Sequence, residues 1–305
     1  MRGSQTPRAL AHDPTPESPE LARSHWAHNL LRQPQGRSPR ARLVCGIAPD
    51  LLTPLELRHR APAVYAPSAD ERTGSAYTFV STERVLDALG QAGFVSVAVA
   101  QTRTRIRSPL HARHAVRLRR RFETVDLNDS VPEIVLLNSH DGTSAYELRL
   151  GLFRAVCTNG LIVSAGAFPV WRVSHRGDHL DRVVTAALEL AERFGELGAY
   201  VQRMERTFLD EPQRLTFASQ ALSLRFPQGN YGGLHAEQVL EPRRQEDSEW
   251  SLWATYNVCQ EAILRGGLSR RSPKGRLVQT RPIRAIREDV RINSALWDMT
   301  VALAA

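Results

Sequence analysis

Between about residue 94 and Gly177 the pattern of apolar and polar positions reads mainly as strands, and after Gly177 it changes to a helical period. Ahead of the strands, Ser81-Thr82-Glu83 opens a short helix through Gly90, with Val85, Leu86 and Leu89 as its apolar side. Residues 94–100 are β-branched, small and uncharged, which predicts a strand. After a turn at Ser108-Pro109, residues 112–122 alternate: Ala112, His114, Val116, Leu118 and Phe122 share one parity, and Arg113, Arg117, Arg119 and Arg121 the other. That spacing predicts a half-buried strand with an arginine outer face. Further strands are expected at 133–137, 146–156, 161–163 and 170–173. Asp141-Gly142 and Asn159-Gly160 read as hairpin turns between them.

Beyond Gly177, Asp178 is the expected N-cap of a long helix. Its stripe runs Leu180, Val184, Ala187, Ala191, Phe194, Leu197, Val201, Met204, Phe208, and Gly195 and Gly198 are expected to bend it. More helices are predicted at 212–225, 249–265 and 285–303. Strands first and helices after give an α+β fold, with an antiparallel sheet in the N-terminal half, then a long helix and a helical C-terminal part. The expected division is a disordered basic tail (1–42), a strand-rich body (43–175) and a helical part (176–305) containing a basic loop at 266–282.

The first two strands should form a hairpin around Pro109. Pairing 107 with 112 sets Val97 opposite Phe122 and groups Val95, Val97 and Val99 with Val116 and Leu118. A slip of one residue would exchange the faces, so this register is preferred over pairing 107 with 111.

Charge sharpens the picture. The 305 residues carry a net +8, and Lys274 is the single lysine among 40 basic residues. Residues 1–42 hold seven Arg against three acids and lack a hydrophobic period. Residues 101–122 hold eight Arg and no acid, and residues 265–291 hold eight Arg and Lys274 against two acids. The remainder is therefore acidic. Two dense basic segments on an acidic body point to a polyanionic partner. No apolar run is long enough for a membrane span and no signal-like segment opens the chain, so a cytoplasmic protein with no membrane association is expected. Cys45, Cys157 and Cys259 are isolated, with no zinc spacing, and read as reduced thiols.

The local motifs argue against catalysis more than for it. Ser139-His140-Asp141 has the residue types of a triad, but adjacent residues on a tight turn diverge. The pairs His111/His114 and His175/His179 lack a third ligand at metal spacing. Asp129, Asp141, Glu147 and Arg149 could contribute to a metal-dependent nuclease site, yet no lysine follows the second acid. Gly266-Gly267 and Lys274-Gly275 do not match a phosphate loop. Trp250, Trp253 and Tyr256 at threefold spacing read as core aromatics, and Asn293 as a hydrogen-bonded residue in a helical interface. No cofactor, metal or catalytic residue is assigned.

The runs Val131-Pro-Glu-Ile-Val-Leu-Leu-Asn-Ser-His-Asp-Gly-Thr-Ser144 and Phe153-Arg-Ala-Val-Cys-Thr-Asn-Gly-Leu161, with Asn257-Val-Cys-Gln-Glu261, Gly266-Gly267 and Asn293-Ser-Ala-Leu-Trp297, resemble the phage/plasmid-like family catalogued as domain of unknown function nine-three-two. The resemblance covers roughly 45–300. It implies a gene carried by a mobile element and brings no residue-level activity. The order of a short helix, a basic antiparallel sheet and a long helix is also similar, at the level of fold alone, to the recombination-mediator single-strand annealing proteins.

The expected function is binding of single-stranded nucleic acid, single-stranded DNA above all, with strand annealing and homo-oligomer formation as extensions. The expected contacts are Arg103, Arg105, Arg107, Arg113, Arg117, Arg119 and Arg121 on the first basic segment and Arg270, Arg271, Lys274 and Arg276 on the second, acting as a mobile clamp. If Arg117 and Arg119 both touch phosphate, removing them should flatten the salt dependence by ~1.4. The alternatives are a metal-dependent nuclease and an interaction or anti-defence protein that binds an acidic host partner.

Overall fold

In the computed structural model the described residues are 51–104, 107–121, 127, 130–154, 160–162, 168–229 and 231–304. The basic tail, Arg105, Phe122, Asp129, Asn159, Cys45 and Cys157 lie outside them.

Two short N-terminal elements precede the sheet. Helix α1 (Pro54–Arg60) carries a capping box between Thr53 and Glu56. Helix α2 (Thr82–Gln91) is capped by Ser81, whose hydroxyl accepts from the Arg84 N–H. Strands β1 (Phe94–Gln101), β2 (His114–Arg120), β3 (Ser130–Asn138) and β4 (Tyr146–Arg154) form an antiparallel meander. β5 (Gly160–Ile162) and β6 (Trp171–Val173) both pair with the far edge of β4, one along Gly151–Phe153 and the other along Tyr146–Leu148.

The β1–β2 register differs from both pairings considered from sequence. Val99 faces Val116 and Gln101 faces His114, while a bulge between Ser96 and Ala98 sets Val95 opposite Arg119. The connection is not a tight turn at Pro109. It runs from Thr102, whose N–H donates to Arg113 O, through a 3-10 turn at Pro109–His111. A long connection leaves register to the ladder, and the bulge then switches faces partway along β1. Asp141-Gly142 likewise sits in a longer loop: Leu137 and Glu147 are the last partners, and the Asp141 carboxylate accepts from the Thr143 N–H.

The long helix is bent, as expected, but at Arg193 rather than at a glycine. It divides into α3 (Leu180–Glu192) and α4 (Phe194–Arg206). Asp178 does not cap it. The chain turns at Gly177 (φ 61°), His179 takes the cap position, and its ring is buried beside Tyr146. Phe208 falls beyond α4 and is exposed.

Helices α5 (Glu211–Arg225), α6 (Ala236–Val239), α7 (Leu252–Arg265) and α8 (Ile286–Ala304) complete the C-terminal part. Between α7 and α8 the basic loop is a two-stranded ribbon of β7 (Ser269–Arg271) and β8 (Leu277–Gln279). α7 is buried almost all round, with Trp253 and Tyr256 stacked 5.5 Å apart, while Trp250 lies outside it and half exposed. Gln260 donates to Asn293 across the α7–α8 interface at 2.7 Å.

Strands β3 and β4 are buried on both faces, which explains their nearly unbroken apolar runs. One face, with Val116, Leu118, Ile134, Leu136 and Leu148, joins the main core with α3. On the other, Val135, Leu137 and Phe153 pack against Ile286 and Val290 of α8. Cys259 is buried in α7, and burial pushes its thiol up to about 12.

Candidate functional site

The sheet face that carries the arginines is partly covered by α8, so the arginine side is not a simple solvent face. Its central charges are also neutralised within the fold. Glu133 of β3 is fully buried and accepts from Arg117 Nε at 2.7 Å and from Arg119 Nη2 at 2.7 Å. Arg117 also lies over the Phe153 ring at 3.3 Å. Three side chains thus hold one another, and both arginines are mostly buried.

The other sequence-derived contacts separate into three groups. Arg103 and Arg121 are exposed. Arg107 pairs with Asp141 at 3.4 Å, and Arg113 lies with Arg107 and Arg287 in a cleft of about 380 Å³ beside the Asp141–Thr143 turn. No carboxylate lies at ion-pair distance from Arg113 or Arg287 among the described residues. Burial, and next the charge of Arg287, lower the Arg113 pKa. Asp70 and Asp141 line the same cleft, so its three arginines stand opposite two carboxylates. The third group is the β7–β8 ribbon. Arg271, Lys274 and Arg276 are exposed there without a carboxylate partner among the described residues, and Arg270 is half-buried over the Phe226 ring. The ribbon is held at both ends: Gly267 N–H donates to Thr280 O at its base, and Arg271 N–H, beside the turn, donates to Gly232 O. Gly266 and Gly267 therefore end α7 and start the ribbon. A helix C-terminus presents carbonyls and repels phosphate.

Of the nuclease acids, Asp129 lies outside the described residues, and the other two have separate partners. Asp141 accepts from Ser139, Thr143 and Arg107, whereas Glu147 is held between Arg149 and Arg172. Among the described residues no group of three or more His, Cys, Asp or Glu side chains is placed to hold a metal ion. Ser139, His140 and Asp141 do not make a triad: the Ser139 hydroxyl donates directly to Asp141 at 2.7 Å, and the His140 ring turns away from both, inward to Thr82.

That inward turn belongs to a buried cluster that sequence reasoning did not assemble. Thr82 at the start of α2, His114 of β2, Asn138 of β3, His140, His175 and His179 are all at most 5% exposed. Their hydrogen bonds fix one another's protons. His114 donates from Nδ1 to Ala112 O at 3.0 Å, so its Nε2 accepts from the Thr82 hydroxyl at 2.8 Å. Thr82 Oγ1 then accepts from Asn138 Nδ2 at 3.1 Å and from His140 Nε2 at 3.2 Å. Asn138 Oδ1 is left to accept from His175 Nε2 at 2.9 Å. His140 and His175 therefore both donate from Nε2, and the Nδ1 of each has no hydrogen-bond partner among the described residues. Burial is the main cause that holds His114 and His175 down to about 4 and His140 lower still. Tyr77 stacks on His175 with centroids 4.6 Å apart, and its buried hydroxyl also lacks a partner among the described residues.

One signal for this cluster was present in the sequence. His114 sits on the apolar parity of its strand, which marks a buried imidazole. Its partners come from α2, from β3 and from the turns before α3, and no local spacing connects them.

The family described as "Domain of unknown function (DUF932)" matches residues 71–297, a span that includes the cluster, the cleft and the ribbon. The chain is 39% identical over 255 residues to the UPF0380 protein YafZ of Escherichia coli (strain K12), covering 83% of this chain and 91% of that protein. It is 39% identical over 253 residues to the UPF0380 protein YfjQ of the same organism, with coverage of 83% and 91%. No solved structure matches the chain.

Proposed function

This chain belongs to the DUF932 family, and from that premise we propose that it binds nucleic acid, single-stranded DNA in particular, through its basic ribbon and the Arg113–Arg287 cleft. The observation that carries the reading is the β7–β8 ribbon: Arg271, Lys274 and Arg276 stand exposed, free of carboxylates among the described residues, on a ribbon held in place at Thr280 and at Gly232. Cations held outward without internal neutralisation are arranged for an external anion.

Arg117 and Arg119 no longer belong to the interface in this reading, since Glu133 occupies them. Fluorescence anisotropy with single-stranded and duplex DNA across a salt series, with Mg²⁺ present, tests the proposal. Single-strand binding is expected, and replacing Arg271, Lys274 and Arg276 by Ala should lower the log–log salt slope by ~2. Failure to bind either form at low salt would transfer the basic surfaces to an acidic protein partner. Mg²⁺-dependent cleavage would transfer the protein to the nucleases.

A further inference from the structure

The cleft that holds Arg113 and Arg287 is walled by four separate segments: Asp70, the β1–β2 connection, the Asp141–Thr143 turn and the start of α8. We propose that it binds the terminal phosphate of a nucleic-acid strand. This rests on the nucleic-acid reading above and divides the work, giving the strand end to the cleft and the internal phosphates to the ribbon.

The two carboxylates of the cleft are already taken. Asp70 accepts from Arg72 Nε and Nη2 on its two oxygens, at 2.8 and 2.6 Å. Asp141 accepts from the Ser139 and Thr143 hydroxyls and pairs with Arg107 at 3.4 Å. Each acid thus has its own guanidinium, and Arg113 and Arg287 are left over. Glu147 acts on Arg113 from further away and is itself held by Arg149 and Arg172. Arg113 and Arg287 are close enough to repel, since the charge of Arg287 is the cause, after burial, that lowers the Arg113 pKa. Neither is sealed from solvent: Arg113 is half-buried and Arg287 exposed. An anion between them relieves the repulsion.

Charge and shape then select the anion. An internal phosphodiester carries one negative charge, whereas a terminal phosphate carries ~1.5–2 at pH 7 and presents three acceptor oxygens. Two guanidiniums, each able to donate twice, match the second better than the first. A strand end also enters a recess of about 380 Å³ without leaving it again, while an internal phosphate must bring the chain both in and out.

Fluorescence anisotropy with the full chain tests the proposal. The probe is one single-stranded DNA sequence, labelled at an internal base, with a 5′-phosphate, with a 3′-phosphate or with hydroxyls at both ends. At least one phosphorylated form should bind about tenfold more tightly than the hydroxyl form, and the end that gains names the polarity. Arg113→Gln and Arg287→Gln should each bring that ratio close to one, and exposed Arg287→Gln should do so with an unchanged melting temperature. The ribbon variant lacking Arg271, Lys274 and Arg276 should bind every form more weakly and keep the ratio. A ratio lost in that variant would move the end phosphate to the ribbon and overturn the proposal. Equal affinity for the three forms, or a ratio unchanged in both arginine variants, overturns it too and leaves the nucleic-acid reading standing. Failure of every form to bind at low salt overturns both.

Discussion

Arg117 and Glu133 meet at 2.7 Å across the β2–β3 ladder, with the carboxylate wholly buried and the guanidinium 26% exposed. A row of arginines on one strand face repels itself unless an anion lies between them. The fold supplies that anion from the neighbouring strand, and Glu133 serves Arg119 as well.

Removing one partner of a buried pair strands the other's charge, at a cost of about 3–5 kcal/mol. Glu133→Ala should therefore destabilise the protein by that amount in urea unfolding. The double variant Arg117→Ala, Arg119→Ala should also lose stability, because Glu133 then lies buried and uncompensated. Its DNA affinity and salt slope should stay close to wild type. A slope lower by ~1.4 would return these arginines to the interface.

The ribbon makes the opposite prediction. Arg271→Ala with Arg276→Ala should leave the melting temperature unchanged, since both side chains are exposed and have no acidic partner among the described residues. It should flatten the salt dependence on single strands by ~1.4. Melting curves and salt titrations on the same preparation check both halves.

Acid should destabilise the fold through its histidines. His114 and His175 are held down to about 4, mainly by burial, from an ordinary value near ~6.5. Between those values the unfolded chain binds more protons than the folded one, so their stabilisation is full above pH ~6.5 and is lost as pH falls towards 4. For fully buried His114 this is roughly 3 kcal/mol. Asp289 runs the other way: burial raises it to about 6, so the stability its neutral form contributes is lost as pH rises through that value. Urea midpoints should fall from pH 7 to pH 4.5 in wild type. Asp289→Asn should raise the midpoint at pH 7 and leave it little changed at pH 4.5. A wild-type midpoint flat across that range would contradict the neutral-histidine cluster.

Two glycines should respond with opposite signs. Gly195 has no heavy atom within 4 Å of the position a Cβ would take and lies in α4, so Gly195→Ala should stabilise by roughly 0.5–1 kcal/mol. Gly266 has φ 70°, and a Cβ there would collide with the Thr280 and Arg281 backbone at the foot of the ribbon. Gly266→Ala should destabilise by more than about 1 kcal/mol. Thermal melts of the two variants decide.

Secondary structure was legible wherever one periodicity ran uninterrupted. The β2 alternation and the helices at α5, α7 and α8 were readable because each residue's burial follows from its neighbours three or four places away, or two. α1 was missed because seven residues give too little period to read. The β1–β2 register failed for a different reason. A bulge between Ser96 and Ala98 leaves no signature when neither parity carries a charge.

By itself, the sequence determined the order of strands and helices, the resemblance to the family, the concentration of arginine in two segments and the inward parity of His114. Those properties are local, or they are sums over the chain. Tertiary structure alone decided which arginines are free. Arg117 and Glu133 are sixteen positions apart and become partners only when β2 and β3 align, whereas Arg113 gains its neighbour Arg287 only when the start of α8 reaches the sheet. The histidine cluster has the same origin. Thr82, His114, Asn138, His140 and His175 hold each other's protons because four separate segments pack onto one another, and a hydrogen bond depends on distance in space and not along the chain.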